Sequence, residues 1–108
     1  HLRRAFPQFG IGYTLNRLLR HSEAESPLRA ALAVVEAHDR KSLAATTRRE
    51  LGDSLRAQGR DAEARQQFES ALRLLTVELG RDDADDDVRA LRQRLGAHVE
   101  NRVQPDQA

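Results

Sequence analysis

The sequence predicts an all-α protein built from repeated antiparallel helix pairs, and three observations support this prediction. The chain matches itself when it is shifted by about 40 residues, which indicates an internal repeat. Apolar residues recur three and four positions apart over stretches that are long enough for helices. Glycines and short polar segments divide these stretches into five predicted helices, and the pattern predicts no β-strand.

The self-match falls on apolar and small positions rather than on charged ones. It pairs Ile11-Gly12 with Leu51-Gly52, Leu15 with Leu55, Glu23-Ala24 with Glu63-Ala64, Leu28 with Phe68, and Ala31-Leu32 with Ala71-Leu72. This is expected when two copies of one packing unit share an interior and differ on their surfaces. The same shift carries Leu51 onto Leu91, so a third copy begins, although Arg92 stands where the second copy has Gly52.

The first copy contains two predicted helices, from about Pro7 to Leu19 and from about Glu23 to Ala37. Pro7 suits the first turn of a helix, because the N–H that proline lacks has no partner there. Pro27 is expected in the first turn of the second helix for the same reason.

The second copy contains predicted helices from about Leu43 to Ala57 and from about Asp61 to Leu79, and Gly80 is a stop signal. A last helix is predicted from about Asp85 to Val99, after an acidic run whose aspartates are expected to cap it. The repeat domain is therefore placed at residues 1–99, with copies at about 5–38 and 45–79. The polar residues 100–108 are predicted to form a disordered tail.

Small and large residues alternate along the second copy in a way that explains how its two helices pack. Gly52, Ala64 and Ala71 let two helix backbones approach closely. Large apolar residues are expected to fill the space around them: Leu51, Leu55, Phe68 and Leu72. One such pair cannot bury its own apolar face, so the copies are expected to stack side by side.

This order of residues resembles the tetratricopeptide repeat family over Leu51 to Leu72, and partly over Ile11 to Leu32. The resemblance implies a short right-handed superhelical solenoid. A spacing longer than the usual ~34 residues, together with the run 77–83, resembles the longer repeats of kinesin-light-chain type, which are also common in bacterial signalling proteins. The sequence departs from the family pattern in two ways. The bulky residue expected early in the first helix is Gln8 in one copy and Arg48 in the other, and Thr76 lies near the place of a proline that often closes the second helix.

The resemblance implies that the first helix of each pair lines a concave groove that binds a partner segment. The residues predicted to face this groove are Phe9, Tyr13, Asn16, Arg17, Arg49, Asp53, Arg56, Arg89 and Gln93. A mildly basic groove with an aromatic end suits an acidic or carboxylate-bearing segment. Reversing the charges of Arg49 and Arg56 is then expected to abolish partner capture without loss of helicity. In the alternative interpretation these arginines bind no partner and belong to the solvated surface of the helix, where they pair with Asp53 or Glu50.

Two functions follow from this interpretation. The chain is predicted to be a protein-protein interaction module, as a fragment or regulatory appendage of a larger protein. The alternative is a structural spacer or self-association element, whose exposed end helices form a homo-oligomer and whose groove holds no ligand. Salt-sensitive binding favours the first function, and a mass that depends on concentration favours the second.

Composition and motifs argue against other classes of function. A net charge of +1 gives no strong attraction to nucleic acid or to an anionic membrane. The sequence contains no cysteine, nucleophile elbow or phosphate-binding loop, so neither an enzyme nor a cofactor is expected. The acidic run fails as an EF-hand at Val88 and Arg94, and the four histidines lack metal-ligand spacing. No transmembrane run or signal peptide is present, and we expect a cytoplasmic location.

Overall fold

Five helices make up the described part of the protein, whose computed structural model gives the backbone of residues 2–103 and the side chains of residues 7–96. The helices are α1 (Leu2–Arg17), α2 (His21–Ala37), α3 (Lys41–Ala57), α4 (Asp61–Arg73) and α5 (Asp86–Val103). A π-helical turn, Leu74–Glu78, continues α4. No strand occurs within residues 2–103, and the all-α prediction is confirmed.

The helix ends differ from the predicted ones at several places. Helix α1 begins at Leu2 and helix α2 at His21, so Pro7 and Pro27 lie inside their helices and not in the first turns. The prediction for both prolines was wrong, because residues 2–6 already form the first turn of α1 and residues 21–26 already form the first turns of α2 before each proline is reached. Helix α5 likewise continues to Val103, so residues 100–103 of the predicted tail are helical, and residues 104–108 lie outside the described part.

The turns between the first four helices share one geometry. Each turn has a residue in the left-handed region: Leu19 at φ 62°, Asp39 at φ 53° and Gly59 at φ 79°. Each following arginine then donates its backbone N–H to a carbonyl five residues earlier: Arg20 to Leu15, Arg40 to Val35 and Arg60 to Leu55. This is the Schellman ending, which satisfies the last carbonyls of one helix and reverses the chain into the next.

The core lies between the helices, as the alternation of small and large residues predicts. Phe68 and Leu51 are fully buried. A Cβ atom added to Gly52 would lie 2.5 Å from Cε1 of Phe68, and one added to Gly12 would lie 2.4 Å from Cγ of Leu28. The two glycines therefore let the second helix of each pair approach the first, and this part of the packing prediction is confirmed.

Consecutive helices pack against each other, so that α2 lies between α1 and α3, and α4 lies between α3 and α5. Arg48 replaces the bulky residue of the family pattern and ties three helices, because it donates to Glu36 at 2.5 Å and to Gln67 at 2.8 Å. The π-helical turn surrounds Thr76, where the family pattern has a proline. Two pairs and a fifth helix are too few to define a superhelix, so the right-handed solenoid stays a prediction.

Candidate partner-binding surface

The predicted groove residues belong to α1, α3 and α5, the first helices of the three copies. We call their shared surface the first-helix face. It comprises Phe9, Tyr13, Arg17, Arg49, Asp53, Arg56, Arg89 and Gln93. The 40-residue register relates Phe9 to Arg49 and Arg89, and Tyr13 to Asp53 and Gln93, because residues that correspond between copies take the same direction around their helix axes. It does not relate Arg17 and Arg56 to other members of this surface. The surface has an aromatic end on α1, a central charged section on α3 and a polar end on α5.

The aromatic end consists of two stacked rings and one guanidinium. Phe9 and Tyr13 have ring centroids 6.1 Å apart and an interplanar angle of 29°. They are four residues apart on α1, so both rings leave the same side of the helix. The guanidinium carbon of Arg17 lies 4.5 Å from the centroid of the Tyr13 ring, within cation–π range. Tyr13 is 42% exposed, so this stack presents an aromatic surface to solvent.

The central section is charged, but its charges are paired across helices. Arg94 of α5 donates to both carboxylate oxygens of Asp53, at 2.7 and 2.9 Å. These hydrogen bonds raise the pKa of Arg94 above its usual value, against the effect of burial. Arg49 pairs with Asp87 of α5 at 3.1 Å. The section is thus closer to neutral than the sequence alone suggests.

The side chain of Arg56 contacts other parts of the protein and is not free in solvent. Its Nη1 donates to the backbone carbonyl of Arg94 at 3.0 Å, and its guanidinium carbon lies 4.8 Å from the centroid of the buried Phe68 ring. Reversing the charges of Arg49 and Arg56 would therefore break contacts between α3 and α5 as well as any contact with a partner. The predicted double variant cannot separate the two effects, and another variant is needed.

The polar end on α5 combines a residue that orders a loop with one that points into solvent. Arg89 donates to the carbonyls of Asp83 and Ala84, at 2.9 and 2.8 Å, and pairs with Asp86. Gln93 is exposed and makes no hydrogen bond to another residue of the described part. Gln93 is accordingly the simplest position at which to change the charge of this surface.

Asn16 lies below the surface, although the sequence places it in the groove. It is 2% exposed. Its amide donates to the backbone and side-chain oxygens of Glu50, both at 3.0 Å, and its Oδ1 accepts from Nδ1 of His21 at 3.0 Å. A side chain so enclosed is unavailable to a partner, and we leave it out of the proposed contact surface.

Sequence reasoning missed this buried polar junction, which also contains Glu50 and His21. Glu50 is 2% exposed and accepts a further bond from Arg17 at 3.2 Å, while Ser54 donates to the carbonyl of His21 at 2.5 Å. The only signal in the sequence was that Glu50 lies one position before Leu51, on the buried side of α3. Buried polar groups need partners, and here each partner comes from another helix.

The acidic segment before α5 acts as a cap, as predicted. Oδ1 of Asp85 accepts the backbone N–H groups of Asp87 and Val88, at 2.8 and 3.1 Å. This bond pattern satisfies donors that a helix start leaves unpaired. Within the described side chains, no three acidic or histidine residues come together as metal ligands would.

The surface offers an aromatic stack, guanidinium groups and an amide, which together suit recognition of another chain. Antiparallel helix pairs that repeat and pack in register define the class of helical-repeat proteins. The chain belongs to the tetratricopeptide repeat family, whose model matches residues 3–76, and the longer kinesin-light-chain type of repeat fits this match. Such repeats generally mediate protein-protein interaction by binding other proteins or peptides, and they are typically not enzymes.

No curated protein and no solved structure showed significant similarity to the chain. Each helix in the described part is too short or too polar to serve as a transmembrane span.

Proposed function

We propose that this protein binds a carboxylate-bearing peptide segment of a partner across its first-helix face, as an interaction module within a larger assembly. The observation that supports this most directly is the stack of Phe9, Tyr13 and Arg17, which combines exposed aromatic surface with a cation. Tyrosine and arginine are among the residue types enriched at energetically dominant contacts of protein interfaces.

Arg17 has free capacity for a partner. Its side chain is 50% exposed, and only Nη2 contacts Glu50. A guanidinium has five N–H donors, so several remain for a carboxylate. The Tyr13 ring beneath it holds the guanidinium in place, which reduces the conformational entropy lost on binding.

The central ion pairs shape the surface rather than supply its charge. The pairs Arg94–Asp53 and Arg49–Asp87 hold α5 against α3, and each cancels its own charge. The proposed binding determinants are therefore at the two ends, with Phe9, Tyr13 and Arg17 on α1 and Gln93 on α5. Arg56 adds a positive charge between them, because its guanidinium contacts a carbonyl oxygen and an aromatic ring, neither of which carries a negative charge.

Selection of peptides from a random library by the whole chain, followed by titration, tests this proposal. We expect carboxylate-rich peptides to be selected, and we expect Tyr13→Ala to weaken their binding by about 2 kcal/mol, the size of a strong interface contact. Gln93→Lys should strengthen binding and Gln93→Glu should weaken it, each by less than about 1 kcal/mol because the site is exposed to solvent.

Arg73→Glu provides a matched control, since Arg73 is exposed on α4, away from the first-helix face. It should leave the affinity unchanged. Equal binding by the parent chain and Tyr13→Ala would rule out the aromatic end as the site. Selection of basic instead of acidic peptides would contradict the proposed chemistry of the partner, and failure to select any peptide would favour the spacer function.

A further inference from the structure

A polar cavity lies beside α4, and none of the residues that line it belongs to the first-helix face. Its volume is about 550 Å³, within the range of about 300–1,000 Å³ that is usual for small-molecule sites. One arginine of α3 contributes to the lining, and the other lining side chains come from α4. The lining residues are Arg48, Gln66, Gln67, Glu69, Ser70 and Arg73.

Arg48 makes this cavity polar, because it stands where the family pattern has a bulky residue. Its Nη1 donates to Gln67 of α4 at 2.8 Å, and its Nη2 donates to Glu36 of α2 at 2.5 Å. The Nε–H of Arg48 is buried and has no acceptor within the described part of the chain. A buried donor without an acceptor is costly. Arg48 therefore retains a hydrogen-bond donor that its protein neighbours do not use.

The side chains of α4 form one polar stripe along the cavity. Gln66, Ser70 and Arg73 are separated by four and three residues, so they project from the same side of the helix. The Ser70 hydroxyl and the Gln66 amide can each donate and accept hydrogen bonds. The 40-residue shift places Ala30 and Ala33 of α2 at the positions of Ser70 and Arg73. The first copy lacks these two donors, so the stripe is a property of the second copy.

The cavity carries one positive charge that its protein neighbours do not cancel. The charges of Arg48 and Glu69 are paired with Glu36 and Arg65, at 2.5 and 3.5 Å. Arg73 is exposed, and it makes no ion pair with any of the described side chains. A guanidinium can hold a phosphate through two parallel N–H···O bonds. The charge distribution therefore favours an anionic group at the Arg73 end of the cavity.

The rest of the lining suits hydroxyl groups better than an aromatic base. Amides donate and accept hydrogen bonds and a carboxylate accepts them, and alcohols match both types of group. Among the described side chains that line the cavity none is aromatic, so a nucleobase would find no ring on which to stack. We infer that the cavity binds a small phosphorylated polyol, such as a sugar phosphate. The phosphate binds to Arg73 and Ser70, and the hydroxyl groups bind to Gln66, Gln67 and Glu69.

Titration of glucose-6-phosphate into the isotopically labelled whole chain, followed by NMR, tests this inference. We expect saturable shifts of the backbone amides of residues 66–73 and of Arg48. Arg73→Gln should weaken binding about tenfold or more, because it removes the charged donor to the phosphate. Arg73 is exposed, so this substitution should leave the fold intact. Arg48→Leu should also weaken binding, because it puts an apolar side chain into the lining of the cavity.

Arg40→Gln is the matched control, because it removes an exposed arginine that does not line this cavity. This variant should bind glucose-6-phosphate as the parent chain does. Glucose itself should not bind, and inorganic phosphate should bind more weakly. A parent chain without saturable shifts overturns the inference, and so does unchanged binding by Arg73→Gln. Equal affinities for inorganic phosphate and glucose-6-phosphate overturn it as well, because a bare anion uses only the Arg73 end of the cavity.

Discussion

Leu19 adopts a backbone conformation that leucine rarely tolerates. It has φ 62° at the end of α1, and its side chain is 78% exposed. Gly59, its counterpart after α3, has φ 79° and suffers no such strain because glycine has no Cβ atom. The Schellman bonds around Leu19 are nevertheless intact, with its N–H donating to Asn16 at 3.0 Å. The packing of α1 on α2 thus outweighs a local cost of roughly 1–2 kcal/mol.

Replacing Leu19 with glycine should stabilise the protein. The change removes the Cβ strain, and the extra flexibility of glycine in the unfolded chain offsets part of the gain, so we expect a net stabilisation of about 0.5–1 kcal/mol. Urea unfolding followed by circular dichroism measures it. The reverse change, Gly59→Leu, should destabilise the protein by a similar amount, and an unaltered unfolding midpoint in both variants would show that these turns carry no strain.

At the scale of elements, one carboxylate links the two second helices. Glu25 of α2 accepts a bond from Arg60, at the start of α4, at 2.6 Å and another from Arg29 at 3.0 Å. Burial by itself would raise the pKa of Glu25, but the hydrogen bonds and charges of Arg60 and Arg29 together lower it below its usual value of 4.5. Ionised Glu25 is therefore more favourable in the folded chain than in the unfolded one.

The stability that Glu25 supplies should depend on pH. A lowered pKa in the folded state means that this contribution is fully present above about pH 4.5 and is lost as the pH falls through the lowered value. Glu25→Gln should therefore lower the unfolding temperature at pH 7, and the gap between variant and parent should close in acid.

Glu69→Gln is the matched control for this measurement. Glu69 pairs with Arg65 of its own helix at 3.5 Å and joins no second element, so its removal should have a smaller effect. A gap between Glu25→Gln and the parent that stays constant from pH 7 to acid would contradict the proposed link.

In the molecule as a whole, helices in the middle of the stack contact more neighbouring helices than those at its ends. Helix α3 contacts α1, α2 and α4, and its side chains also reach α5. Helix α5 is held by Val88 and Leu91, which are 0% and 1% exposed, and by its ion pairs with α3. In a repeat array each unit contacts only its neighbours, so a local defect need not unfold the whole chain at once.

Leu91→Ala should release α5 before the rest of the stack. Truncating a buried leucine costs about 2–5 kcal/mol, and the lost contacts lie between α5 and α4. In hydrogen exchange we expect faster exchange in α5 and at the end of α4, with α2 and α3 still protected. Uniformly faster exchange in all helices would instead show that the array unfolds as one cooperative unit.

The repeat pattern was enough to predict the helix pairs and their core. The repeated positions of Gly12 and Gly52, and of Leu28 and Phe68, predicted which helices approach closely, and the structure has these contacts. Such positions can be predicted because side chains leave a helix with a fixed period. A repeated pattern of residue size and polarity therefore indicates which side of the helix is buried. The ends of the helices and the placement of Pro7 and Pro27 were predicted less well, because apolar spacing indicates which side of a helix is buried and not the residue at which the helix begins.

Which polar residues are exposed and available to a partner became known from the packing of the helices. The period around a helix axis places Asn16, Arg49 and Tyr13 near one side, but it does not say what the neighbouring helix presents to each of them. Asn16 meets Glu50 and is buried, Arg49 meets Asp87 and is paired, and Tyr13 remains exposed. Hydrogen bonds and ion pairs depend on distances of a few ångströms between helices that are far apart in sequence, and only the packed chain sets those distances.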